Sequence, residues 1–306
     1  TLTGAADGDN MAKVELYVGG QQKGTFYYGD ANVADYTIEN VSHGTGNQKV
    51  ELKVTADDGS WDVYLDKLTI SAAGTAGGNS GTNSGSNNQG GNQGGNNNSG
   101  LNASSKLIAL SFDDGPSSTT PYVLDVLEQN GVVATFFLIG QQVNSDTMST
   151  MQRQINMGCE LANHSYTHED MSNMSASDVK NQIEWTSSAI KNTVGVDVKF
   201  FRPPYLGVSN TMYQNINLAF IAGVDSKDYE NISSSQVTSN VVNGVRDGSI
   251  VLMHDFQGNN KTVEALPNII RNLKNQGYNF VTISELFQIK GKNPNQGYKI
   301  WSNVFD

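Results

Sequence analysis

The sequence predicts an α/β protein: parallel strands in an incomplete barrel of about seven βα units, joined by a flexible linker to a smaller all-β, sandwich-like module at the N-terminus. Three observations predict it. Residues 72–105 are almost entirely Gly, Asn, Ser, Gln, Thr and Ala, and no charge falls between Leu68 and Lys106. Such a stretch buries too little apolar surface to offset the entropy of ordering it, so it reads as a tether. Before it, apolar residues recur with period two; after it, short apolar runs alternate with amphipathic helical patterns, the signature of parallel strands.

The boundaries that follow are 1–71 for the β module, 72–105 for the linker, 106–290 for the α/β domain and 291–306 for a C-terminal tail. In the first module, Lys13–Val18, Lys49–Val54 and Val63–Ile70 alternate, and Gly19-Gly20 and Asp58-Gly59 mark turns between antiparallel strands. In the second domain, strands are predicted at Leu107–Phe112, Val132–Ile139, Cys159–Asn163, Phe200–Phe201, Phe220–Val224, Ser249–Met253 and Asn279–Ile283. Helices are predicted at Pro121–Gln129, Ala176–Lys191 and Val263–Asn275, the last closed by Gly277. One strand, one helix and two loops take about 25 residues, so the domain holds about seven units, short of the ~250 residues of an eight-fold barrel.

The ends of these strands carry the chemistry. They run into Asp113-Asp114-Gly115-Pro116, His164-Ser165-Tyr166-Thr167-His168, Arg202-Pro203-Pro204-Tyr205, Asp225-Ser226-Lys227-Asp228-Tyr229 and His254-Asp255. In parallel α/β folds those ends converge on one face, where ligands bind. A His-x-x-x-His pair is by itself more often two residues on a helix surface. Here it follows an apolar strand and, with one carboxylate, makes the three-ligand pattern of a catalytic metal site with an open position. Asn163 and Ser165 offer hydrogen bonds around it. Asp113 and Asp114 point to opposite sides if the strand stays extended, so one is expected to hold the metal while the other faces its water. His254 has the chemistry of a general acid, and Asp228 or Asp255 would tune it. Arg202 would pair with a carboxylate near the metal. Assembled, these groups point to metal-assisted hydrolysis of an acyl bond.

Ser111–Gly115 (SFDDG), His164–His168 (HSYTH), Arg202–Tyr205 (RPPY) and Leu252–His254 (LMH) resemble, in order, the motif set of carbohydrate esterase family 4, the polysaccharide deacetylases. The resemblance implies a distorted (β/α)7 barrel and a divalent metal, zinc or cobalt and by ligand type also nickel. It implies Asp113 as general base, Asp114, His164 and His168 as ligands, Arg202 as brace of Asp113, the Tyr205 backbone N–H as oxyanion donor, His254 as acid and Asp228 as its support. The family's Asp-x-x-Asp-Trp motif reads Asp225-Ser-Lys-Asp228-Tyr229 here, a change at the acetyl pocket. By motif the sequence is similar to acetylxylan-type esterases. The expectation is therefore an enzyme that removes O-acetyl groups from acetylated xylan or xylo-oligosaccharides, with N-deacetylation of chitin or peptidoglycan as the alternative. In the first module, Ala12–Gly20 and Ala56–Asp66 resemble part of carbohydrate-binding module family 36. That likeness implies Asp57, Asp62 and the Trp61 carbonyl as calcium and xylan contacts, and Asp66 as a structural calcium position; calcium wants six to eight oxygens.

Composition narrows the partners. Of 306 residues only 16% are charged, against ~25% in an average globular protein. The net charge of −11 comes with no basic block, which excludes a nucleic-acid or anionic-membrane surface. No apolar run approaches the ~20 residues of a transmembrane helix. A lone cysteine, Cys159, excludes an internal disulfide and a multi-cysteine metal site. With no leader before Thr1, the sequence reads as a mature or excised chain of a secreted protein, expected as a monomer.

Overall fold

The computed structural model describes residues 2–6, 12–28, 34–36, 49–56, 63–68 and 100–306. The chain divides into two compact units, Thr1–Gln93 and Gly94–Asp306.

In the first unit, β1 (Leu2–Ala6), β4 (Ala34–Tyr36) and β6 (Val63–Leu68) form one antiparallel sheet, and β2 (Ala12–Val18), β3 (Gln21–Tyr28) and β5 (Val50–Ala56) another. Alternation has the expected effect: Val14 and Leu16 of β2 and Phe26 of β3 are buried, while Lys13, Glu15 and Tyr17 occupy the other face of β2, where the Tyr17 hydroxyl donates to Glu15 at 2.7 Å. Of the calcium and xylan residues that the sequence suggests, Asp57, Trp61 and Asp62 lie outside the described residues; Asp66 falls in β6.

The second unit is a curled parallel sheet wrapped by helices, the distorted (β/α)7 arrangement that the sequence predicts. Its strands are β7 (Leu107–Gly115), β8 (Ala134–Leu138), β9 (Glu160–Asn163), β10 (Phe200–Phe201), β11 (Ala219–Ile221), β12 (Val224–Asp225), β13 (Ser249–His254), β14 (Asn279–Phe280) and β15 (Ile300–Trp301), in the order β12-β13-β7-β8-β9-β10-β11-β15 with β14 alongside β7. The helices are α1 (Thr120–Gln129), α2 (Met148–Asn156), α3 (Ala176–Val194), α4 (Asn210–Asn215), α5 (Ser234–Gly244), α6 (Asn260–Asn275) and α7 (Ile283–Ile289). Local sequence explains their ends. Ser175 caps α3 by accepting from Asp178 N–H, and Gly195 ends it at φ 78°. Thr282 and Glu285 form a capping box on α7.

The inner face of the curl is apolar at one end and polar at the other. Leu107, Ala109, Phe137, Ala162, Phe200, Ala219, Ile221 and Ile250 pack with Leu286 and Phe287 of α7 in one core. Two or four residues further along the same strand faces, apolar side chains give way to Ser111, Asp113, Arg202 and His254. Outside the curl, Phe112 and Phe136 stack at 5.2 Å beneath the helices.

Several boundaries differ from the sequence reading. The run Phe220–Val224 is two strands, not one: β11 pairs with β10 and β15, and β12 pairs with β13. Gly223 separates them with its backbone so close to β13 that an added Cβ would sit 2.8 Å from Leu252 Cβ and 3.0 Å from Leu252 N. The segment 291–306, expected as a tail, joins the sheet. Ala222 N–H donates to Trp301 O at 2.7 Å, Ile250 N–H to Ser302 O at 3.0 Å, and Val304 N–H to Gly248 O at 2.9 Å, so the chain end bridges β11 and β13. Residues 100–105, expected as linker, belong to this unit as well: Leu101 packs on the core and Lys290 Nζ donates to the carbonyls of Ala103 and Ser105.

Candidate active site

Five strand ends and the turns after them build the site. β7 carries Asp113 and Asp114 through a bulge: Asp113 pairs with Phe137 and Gly115 with Leu138, which leaves Asp114 as the extra residue, at φ 72°. The extended-strand expectation, carboxylates on opposite sides, is therefore wrong. The left-handed residue turns Asp114 back beside Asp113, and both carboxylates approach one imidazole: Asp113 Oδ2 lies 3.7 Å and Asp114 Oδ1 3.4 Å from His164 Nε2. His168 Nε2 lies 3.1 Å from Asp114 Oδ1.

The loop after β9 presents both histidines. His164 is buried, and its Nδ1 donates to the Arg202 carbonyl at 2.7 Å, which turns Nε2 toward the two carboxylates. Asn163 and Ser165 hold the loop rather than the rings: Asn163 Oδ1 accepts from Ser165 N–H, and Ser165 Oγ from His168 N–H. Gln182 of α3 accepts the N–H groups of Tyr166 and Thr167. Burial lowers the pKa of His168, with His164 adding to it, so its neutral, ligating form is favoured. Asp114 is held below the usual carboxylate range: burial works against this, and His164 and His168 outweigh it.

The three ligand atoms of Asp114, His164 and His168 lie within 4.8 Å of one another. Asp114 Oδ1 is buried without a hydrogen-bond partner and faces the Nε2 atoms of His164 and His168 at 3.4 and 3.1 Å. Ligands each about 2.1 Å from one tetrahedral ion lie about 3.4 Å apart, so the residues fit a divalent metal.

Asp113 is braced from the opposite side. Arg202, fully buried, donates from Nη1 to Asp113 Oδ1 at 2.5 Å and from Nη2 to Ser111 Oγ at 2.8 Å and to the Ala222 carbonyl at 2.7 Å. Its guanidinium stacks 4.1 Å from the Phe137 ring. Tyr205 follows in a 3-10 turn at φ 55°, 74% exposed, its ring 5.0 Å from that of His168.

His254 closes the site at the end of β13. Its Nδ1 meets Asp228 Oδ1 at 2.7 Å, and its N–H donates to Asp228 Oδ2 at 2.7 Å. Burial alone would lower this imidazole; Asp228 reverses the sign and lifts it to about 9. Asn259 Nδ2 and the Thr262 hydroxyl donate to the same carboxylate. Of the two carboxylates that the sequence offers as tuners, Asp228 does it. Asp255 accepts instead from the Thr120 hydroxyl of α1, and burial, with Asp114 and Asp113 adding, pushes it up to about 7. Tyr229 stands edge-on 5.3 Å from His254, its hydroxyl donating to Asp225.

Sequence reasoning missed Ser111, Thr120, Asn259 and Thr262. Ser111 was legible as a lone polar residue on the inner face of an apolar strand. The others are helix-start residues, with no local signal of a partner far away in the chain.

The chain matches the family model described as polysaccharide deacetylase over residues 100–222. It resembles the crystal structure of the CE4 domain of a multidomain xylanase from the hindgut metagenome of Trinervitermes trinervoides, with 67% identity and a TM-score of 0.65 over 66% of this chain and 98% of that one. The chain belongs to the polysaccharide deacetylase family, carbohydrate esterase family 4.

Other members of that family agree. A family 4 acetyl xylan esterase of Clostridium thermocellum, solved with a cobalt ion, is 41% identical with a TM-score of 0.64, over 65% of this chain and 99% of that one. A bifunctional xylanase/deacetylase of Pseudobutyrivibrio xylanivorans is 61% identical over 306 residues, 99% of this chain and 51% of the relative. The chain thus spans about half the length of that curated relative. The family match contains Asp113, Asp114, His164, His168, Arg202 and Tyr205. Asp228 and His254 lie beyond it and reach the same site through β12 and β13.

Proposed function

We propose that this chain is a secreted, metal-dependent deacetylase that hydrolyses O-acetyl esters of acetylated xylan. One observation carries the chemistry: the Asp114–His164–His168 cluster stands beside the buried Asp113–Arg202 pair and within electrostatic reach of the Asp228–His254 pair. Relatives named as a xylanase/deacetylase and an acetyl xylan esterase support the substrate.

Asp114, His164 and His168 would hold a divalent cation, which when bound would supply Lewis acidity and lower the pKa of water toward ~7. Asp113 Oδ1 is tied to Arg202, which leaves Oδ2 to take the proton of the attacking water. Arg202, itself held by Ser111 and Ala222, keeps that carboxylate aimed. The Tyr205 backbone N–H donates to the developing oxyanion. On the far side His254, kept protonated by Asp228, gives its Nε2 proton to the departing sugar oxygen as the acyl C–O bond breaks. Acetate and a free hydroxyl result.

The test is acetate release from acetylxylan with added zinc or cobalt, comparing wild type with Asp114→Ala. Losing a ligand worth several kcal/mol of transition-state stabilisation should lower turnover about 10³-fold; unchanged turnover dismisses the assignment. Chitooligosaccharides in parallel form the amide arm. Their turnover, with acetylxylan inert, would keep the chemistry and replace the substrate.

A further inference from the structure

Asp255 is fully buried and lies outside the mechanism above. Among the described residues two site carboxylates keep a buried oxygen with no hydrogen-bond partner: Asp114 Oδ1 and Asp255 Oδ1. The other two are each neutralised, Asp113 by Arg202 and Asp228 by His254. With Asp255 ionised, Asp114 and Asp255 together supply two negative charges, the charge of one divalent ion. A buried carboxylate with a single hydrogen bond is costly, and a neutral Asn would accept the Thr120 hydroxyl equally well.

Asp255 also grips the turn that carries the ligand. Its N–H donates to the Asp113 carbonyl at 2.9 Å, its carbonyl accepts from Ser117 Oγ, and its Oδ2 from Thr120 Oγ1. Its carboxylate lies against Gly115 so closely that a Cβ there would stand 2.6 and 2.7 Å from the two oxygens. Gly115 is the residue after Asp114, so the Asp255 side chain forms the floor of the bulge.

We propose that Asp255 is a charge-balancing positioning residue for the cation of Asp114, His164 and His168: it supplies the second negative charge and holds the Gly115 turn that aims Asp114 at the imidazoles. The assignment rests on the reading of that cluster as a metal site. Outer partners of metal ligands are worth 10–100-fold in affinity.

The experiment is titration of the metal-free full chain with zinc and with cobalt against a competing chelator, for wild type, Asp114→Ala and Asp255→Asn, with thermal unfolding of each metal-free protein. Wild type should take up one ion, and Asp114→Ala none. Asp255→Asn should bind at least ten-fold more weakly while its metal-free fold melts no lower than wild type. Affinity within ten-fold of wild type overturns the assignment. Should the amide variant fail to fold, Asp255→Ser is held to the same criterion, and failure of both marks a structural residue and overturns it. A wild type that takes up no ion overturns the metal reading itself, and with it this one.

Discussion

Asp228 engages both carboxylate oxygens with His254, one on the ring and one on the backbone, and fills its remaining capacity with Asn259 and Thr262. One residue thus fixes the orientation of the imidazole and its charge. A general acid must be protonated, so activity should persist until pH rises through about 9. Asp228→Asn removes the partner, leaving burial to act on its own. The alkaline limb of the pH–rate profile should then move from about 9 to at or below the ordinary ~6.5, along with a fall in kcat; a limb that stays in place refutes the pairing. The same pair acts on stability. His254 has a raised folded-state pKa, so its contribution is complete below ~6.5 and is lost as pH climbs through about 9.

The β7 bulge and the loop after β9 determine where the ligands meet, and both depend on close approach. Gly140, in the 3-10 turn after β8, donates its N–H to the Ser165 carbonyl at 2.9 Å, and Gln141 donates to the Tyr166 carbonyl at 3.0 Å. The histidine loop is therefore pinned to the β8 turn. An added Cβ at Gly140 would overlap the Tyr166 ring and stand 2.5 Å from Thr186 Oγ1 and 3.0 Å from Thr186 Cα. The last is α3 backbone, which cannot step aside. Gly140→Ala should cost ~1–3 kcal/mol by overpacking, read from urea unfolding, and should lower kcat because His164 and His168 ride on the displaced loop. A variant of wild-type stability and turnover refutes this account.

Across the whole second unit, the chain end is part of the core. Trp301 is buried, edge-on to Phe287 at 5.2 Å, and its indole N–H donates to the Pro294 carbonyl at 2.9 Å. Trp301→Ala should destabilise the unit by ~3–5 kcal/mol, measured by far-UV circular dichroism in urea; a loss under ~1 kcal/mol would mean that the bridge between β11 and β13 is not structural. Nothing in the last residues announces this role, because Ile300-Trp301 is too short for a periodic signal and its partners lie about 80 residues earlier. The sequence by itself determined the fold class, the alternation of strands and helices, and the residue types of the site, since these follow from period and from strand-end chemistry that local residues carry. Asp113, Asp114, His164, His168, Arg202 and His254 could all be named from it. The motif resemblance already gives Asp228 to His254 and Arg202 to Asp113, where the strand ends alone left Asp228 and Asp255 open. Only the tertiary structure decided the geometry: the bulge that turns Asp114 beside Asp113, the seat of Asp255 against Gly115, and the strand closing the sheet from the far end of the chain are all set by contacts distant in sequence. Such contacts exist only once the core has brought the strands together.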